Sequence, residues 1–263
     1  MTTSLVYLYA VVGEPLDTDI EGIDGQLIRW VTADGLAAAV SDVPSEDFEE
    51  APLNTNVRDM NWLGPRAVAH QDVNARLFDA AEAVVPLAFG TVFRNDARVR
   101  RLLTEQAASL RGQLDRVRGC AEWVVALHLV REPTAEEVAA MSPSVRALRG
   151  EIEASSPGRA HLLRRQLATL ARDESKRVQK EAAGQVVDAL KAVVVDVFKE
   201  PLPSDSVERP LVRASVLVRR AAESDFLDHV DRLRDRWPEP TYRLLLTGPW
   251  PPYRFGGLPA ERD

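Results

Sequence analysis

Apolar residues along this chain recur with two different periods, and the switches between them lay out its elements. Leu5–Val12 (LVYLYAVV) is a nearly unbroken apolar run bounded by Gly13 and Pro15, which predicts a strand buried on both faces. Leu27–Thr32 and Leu36–Val43 flank Ala33-Asp34-Gly35, a hairpin signal because Gly accepts the positive φ of a tight turn. Ser45–Asn56 is acidic and contains a proline, so it reads as a loop. Gly64-Pro65 reads as a helix start with Pro65 at the first helical position, and His70, Val73, Leu77 and Ala81 follow as one stripe. Val84–Phe93 is a strand that Pro86 places at an edge or bulge. Asp96–Val117 is the most regular amphipathic helix, with Val99, Leu103, Ala107, Leu110, Leu114 and Val117 on one face, and Glu122–Val130 is another strand. This order predicts an α+β class: over residues 1–132, a ferredoxin-like antiparallel sheet with helices on one face.

Thr134-Ala-Glu-Glu137 is a capping box that opens a short helix, and Met141–Gly158, with Ser142-Pro143 and Pro157-Gly158, reads as a linker. Residues 133–157 are therefore expected to be a short helix and linker, and residues 158–263 a long helix followed by a β-α-β domain with a Pro/aromatic tail. The long helix starts from Ser156 and runs to about Lys199, with apolar patches at its ends (Leu163, Leu167, Leu170; Val186, Leu190, Val193, Val197) and an exposed or bent middle. In Leu211–Arg219, Val212, Ala214, Val216 and Val218 face inward while Arg213, Ser215 and Arg219 face out. Phe226, Val230, Leu233 and Trp237 mark a helix capped by Ser224, and Thr241–Thr247 is a last strand stopped by Gly248-Pro249.

At 263 residues and 29.1 kDa, the chain suits one large or two modest domains. No apolar run approaches the roughly 20 residues of a membrane span, and Met1–Leu5 lacks the features of a signal peptide. Cys120 is the single cysteine, which rules out an internal disulfide and fits a cytoplasmic setting. The net charge of −7 is uneven: residues 1–60 hold twelve Asp/Glu against two Arg, whereas Pro157–Lys180 holds seven Lys/Arg against Asp173 and Glu174. There is no basic stripe interleaved with aromatics, so nucleic acid is not the expected partner.

No nucleophile-elbow, P-loop or dinucleotide motif is present, and His70, His128, His161 and His229 have no metal-ligand spacing. The sequence therefore nominates no catalytic, metal or cofactor residue. His70 lies on the apolar stripe of its helix, where a hydrogen-bonded core histidine is the plainer reading. The alternative is a ferredoxin-like small-ligand module or enzyme in which His70 or His128 lines a pocket. The most unusual stretch is Thr247-Gly-Pro-Trp-Pro-Pro-Tyr-Arg-Phe255, stiffened by its prolines. It is either an exposed aromatic peg or an arm packed across its own domain.

Several segments in this order resemble the gas vesicle GvpF/GvpL family: Tyr7-Leu-Tyr-Ala-Val-Val12, Asn61-Trp-Leu-Gly-Pro-Arg-Ala67 with His70, Val85-Pro-Leu-Ala-Phe-Gly-Thr91, Gly119–Val124, Gly158-Arg-Ala-His-Leu-Leu-Arg-Arg165 and Thr247-Gly-Pro-Trp-Pro-Pro-Tyr253. His161 stands where the family carries Tyr, and Ala214-Ser-Val-Leu-Val218 departs from the family's usual strand. The resemblance implies a modified ferredoxin-like N-terminal domain, a helix-dominated C-terminal α/β domain, and a non-enzymatic role in gas vesicle assembly. It implies binding of the hydrophobic shell subunit GvpA, contacts with other accessory proteins, and a place in the cytoplasm or as a minor vesicle component; from the charge pattern, the hydropathy and the missing motifs, no nucleic acid or membrane partner and no cofactor is expected. Under that reading Pro86, Phe89, Phe93, Trp250, Pro251, Tyr253 and Phe255 are candidate contacts for the shell subunit. Arg164, Arg165, Arg172, Lys176, Arg177 and Lys180 are candidate electrostatic contacts.

Overall fold

Strand β1 (Ser4–Val12) is buried along most of its length in the computed structural model, which describes residues 4–17, 19–202, 209–237 and 239–257. The hairpin forms as the Asp-Gly signal predicts: β2 (Arg29–Ala33) and β3 (Leu36–Pro44) turn through Asp34 and Gly35, with φ of 49° and 64°. The acidic stretch expected to be a loop instead forms α1 (Ser45–Phe48) and α2 (Glu50–Asn56), because buried Phe48 anchors it. Helix α3 (Met60–Ala80) begins before Gly64-Pro65. The Asp59 side chain accepts the Asn61 N–H and starts the helix there, so Pro65 lies inside it.

The expected strand Val84–Phe93 is split into β4 (Val85–Pro86) and β5 (Val92–Phe93), both antiparallel to β1. Between them Ala88–Gly90 leaves the ladder, with Gly90 at φ 85°. The predicted helix Asp96–Val117 is two, α4 (Asp96–Glu105) and α5 (Ala107–Val117), broken at Gln106. Their shared stripe is kept. The sheet order is β2-β3-β1-β4, with β5 also on β1.

The α+β class stands, but the helices are divided between the two faces. Val6, Leu8 and Val11 pack with Val99, Leu103, Leu110 and Leu114 of α4 and α5. Tyr7 and Tyr9 point the other way, toward His70 of α3. A strand that carries large side chains on both sides needs cover on both. A register shift between Leu8 and Ala10 keeps Val11 on the aliphatic face.

Beyond these lie β6 (Cys120–Leu129) and α6 (Ala135–Met141), the latter opened by the predicted capping box. The expected linker is instead α7 (Pro143–Glu153): the Ser142 side chain accepts the Val145 N–H, and Pro143 fits the first turn. Helix α8 (Pro157–Lys191) packs along α6 and α7. Its middle is buried on one face, through Ser175, Val178, Gln179 and Ala182, rather than exposed or bent. It ends before Val193, and Val197 belongs to β7 (Asp196–Lys199). In β8 (Arg209–Arg219), Ser215 is buried rather than outward and donates to Glu200 Oε1 at 2.8 Å. Helix α9 (Glu223–Arg236) starts without a side-chain cap from Ser224, and β9 (Tyr242–Trp250) continues through Gly248-Pro249 before α10 (Tyr253–Gly256). The second sheet runs β7-β8-β6-β9.

The chain separates into two compact units that interleave in sequence. One holds the residues up to Glu122, with Leu217–Ala221 and the segment from Gly248 on; the other holds Trp123–Val216 and Ala222–Thr247. The Pro/aromatic tail therefore belongs to the first unit and not to the C-terminal domain that the sequence suggests. Residues 258–263 of the expected tail lie outside the described residues.

Candidate functional site

An aromatic cluster fills the α3 side of the first sheet. The Tyr7 ring lies 4.8 Å from Tyr9, 5.7 Å from Phe48, 5.8 Å from His70 and 5.9 Å from Phe89. Its hydroxyl accepts the Gly90 N–H at 3.0 Å and is 2.9 Å from His70 Nδ1, while Asn74 Nδ2 lies 3.1 Å from His70 Nε2. The Tyr9 hydroxyl accepts the Ile23 N–H at 2.9 Å and pairs with Ser41 at 2.8 Å. A Cβ on Gly22 would stand 2.3 Å from that hydroxyl. Gly22→Ala is expected to lower stability by about 1–3 kcal/mol, read as a lower urea midpoint. Arg66 stacks over Trp62 at 4.5 Å and pairs with Asp24 at 3.0 Å and Asp47 at 3.7 Å, tying α3 to the turn Ile23–Gly25 between β1 and β2 and to α1.

His70 is a core residue. Burial pushes its imidazole down to about 4, and both ring nitrogens have partners. The unfolded chain takes up this proton near pH 6.5, whereas the folded chain takes it up only near 4. The stabilisation is therefore complete above 6.5 and is lost as pH falls toward 4, by about 1.4 kcal/mol per pH unit. Urea midpoints measured between those limits are expected to fall with pH, and His70→Gln to make the slope shallower.

Beside this cluster the surface opens into a groove of about 780 Å³. Leu5, Phe48, Val92 and Phe93 line its apolar part, Ala51 and Asn54 of α2 another wall, and Glu49, Glu50 and Arg94 its charged rim. Among the described residues β5 pairs only with β1, so the groove runs along a sheet edge. The edge at β4 is covered by α10: a Cβ on Gly256 would lie 3.4 Å from the Val84 carbonyl oxygen.

The residues singled out from the sequence separate accordingly. Phe93 lines the groove, Phe89 is half-buried among the aromatic rings, and Pro86 is buried in the sheet. The tail is a packed arm for most of its length. Pro251 is buried; Tyr253 donates to Gln71 Oε1 at 2.9 Å; Phe255 packs with Val117, Cys120 and Leu217. Trp250 remains 40% exposed. Arg164, Arg165, Arg172, Lys176 and Lys180 are exposed on α8, while Arg177 is paired with Glu174 and Glu181. Sequence reasoning missed Phe48 and Ala51, whose acidic surroundings read as a loop. Among the described residues no group of three or more His, Cys, Asp or Glu gathers as a metal site, and no helix is long and apolar enough to cross a membrane.

This arrangement, an antiparallel sheet joined to a helix-rich unit, is the fold of solved gas vesicle proteins. The chain superimposes on the crystal structure of GvpF from Anabaena sp. PCC7120 with a TM-score of 0.71 at 21% identity, covering 97% of this chain and 99% of that one. On GvpF from Microcystis aeruginosa the TM-score is 0.68 at 18% identity, with the same coverage. The family model for "Gas vesicle synthesis protein GvpL/GvpF" matches residues 5–256, and the chain belongs to that family. It is 34% identical to gas vesicle protein L of Streptomyces sp. (strain CB03234), over 100% of this chain and 96% of the relative. It is 29% identical to gas vesicle protein L1 of Halobacterium salinarum, over 95% and 89%. The role is thus a gas vesicle-related one, in a family of structural or accessory proteins.

Proposed function

We propose that the protein assists gas vesicle assembly by binding the hydrophobic shell subunit GvpA, with the groove beside β5 as the contact surface. The observation that carries this reading is the groove's position: a sheet edge at β5 that, among the described residues, pairs with no strand but β1, next to apolar walls from Leu5, Phe48, Val92 and Phe93. A free edge offers backbone donors and acceptors to an added strand, and apolar walls take its side chains. A shell subunit that walls off gas exposes apolar surface before it polymerises, and such surface aggregates unless it is covered. Binding here shields one subunit until the next displaces the protein, and no bond is made or broken. The work is done in the cytoplasm, and molecules trapped at the growing edge remain as a minor vesicle component. The packed tail argues against an aromatic peg and makes Phe93 the anchor, with Trp250 as a peripheral contact.

The test is co-expression with GvpA. Soluble shell subunit should rise and co-elute with this protein. If GvpA stays in the pellet to the same extent with and without it, the reading fails.

A further inference from the structure

Along α8, Arg172, Lys176 and Lys180 recur at every fourth residue and form one stripe. All three are exposed, and among the described residues no carboxylate lies within ion-pairing distance of them. Arg177, on the neighbouring face, is instead held by Glu174 at 2.8 Å and by Glu181. Like charges at this spacing repel and weaken a helix, so the stripe adds nothing to the stability of its own unit.

The stripe borders two grooves. One, of about 420 Å³, has Pro133, Val138 and Ala171 as its apolar wall. The other, of about 460 Å³, is lined by Ala183, Leu202, Pro210 and Leu211, with Lys199 adding a fourth cation. Lys176 and Gln179 line both, so the two join in a single trough. From Ala171 to Gly184 it follows about 20 Å of helix. Gly184 has nothing within 4 Å of where a Cβ would stand, which leaves room for an incoming backbone. Glu132, the carboxylate among the lining residues, is engaged by Gln179 Nε2 at 3.0 Å.

We propose that this trough is the docking site for an acidic amphipathic helix of a partner protein. Carboxylates repeating at four-residue spacing meet Arg172, Lys176 and Lys180, while an apolar stripe settles into the two grooves. Cations alone would suit any polyanion; the apolar walls on either side call for a ligand with an apolar face as well. Among the described residues a second copy of this chain offers no free helix of this kind: α9 carries Asp228, Asp231 and Asp235 on its surface, but its apolar face (Phe226, Val230, Leu233) is already buried, and α1 and α2 are only four and seven residues long.

The probe is a fluorescein-labelled helical peptide of about fifteen residues, with Glu at every fourth position and a Leu stripe, titrated with the full chain by anisotropy. Binding should be saturable and weaken as sodium chloride rises from about 50 to about 500 mM. Reversing Arg172, Lys176 and Lys180 to Glu should weaken it more than about tenfold, and the milder Lys176→Gln/Lys180→Gln pair should weaken it in the same direction. Arg177→Gln should leave it unchanged, and so should Ala51→Gln at the exposed wall of the β5 groove, which separates this site from that groove. The proposal is overturned if the peptide does not bind saturably or if the reversed or neutralised variants bind it equally well. It is also overturned if a Ser-for-Leu peptide binds as tightly, which would show a polyanion surface only.

Discussion

Tyr7→Ala is expected to cost about 3–5 kcal/mol of stability, because it empties a large aromatic site in a fully buried strand. Tyr7 has no exposed surface, and its ring touches Tyr9, Phe48, His70 and Phe89. Those neighbours come from β1, α1, α3 and the loop between β4 and β5, so no single element can relax into the space. Tyr7→Phe separates the hydroxyl from the ring. It should cost about 1–3 kcal/mol, since the Gly90 N–H and His70 Nδ1 lose their partner in a buried setting. Denaturant unfolding of both variants measures the two contributions. A Tyr7→Ala loss below about 1 kcal/mol would mean that the cluster is not a packed core.

Phe93→Asp is expected to reduce capture of GvpA more than about tenfold, because it sets a charge in the apolar wall an added strand would use. Phe93 also packs partly against the aliphatic core, so some loss of stability accompanies it. Ala51→Arg avoids that ambiguity: Ala51 is exposed on α2, and the longer cationic side chain fills the groove without entering the core. Both variants should lower the co-eluting shell subunit, and Ala51→Arg should do so with an unchanged melting temperature. Trp250→Ser should have a smaller effect. Unchanged capture by both groove variants would move the contact elsewhere on the molecule.

Strong local periodicity was enough to locate much of the fold. The unbroken apolar run became β1, the Asp34-Gly35 turn became the hairpin, and the capping box at Thr134 opened α6. Ser and Pro punctuation was less decisive, because the same residues end one element and begin another. Ser142-Pro143 reads as a linker yet starts α7, and Gly64-Pro65 reads as a start yet lies inside α3, where Asp59 caps upstream.

The candidate site was half legible. Phe93 follows from its strand, but the wall opposite it comes from Ser45–Asn56, where charge conceals Phe48 as the buried anchor. The Tyr7–His70 link spans 63 positions, beyond the reach of any local pattern. The tail's packing was hidden for the same reason: its partners Gln71, Val117 and Cys120 lie far back in the chain.

Hydrogen exchange on the unmodified protein, with and without GvpA, tests most directly whether the shell subunit occupies the proposed groove. Slower exchange across residues 45–54 and 90–94 on addition of the subunit is the predicted result. Complex formation with exchange in both segments unaltered would contradict the account.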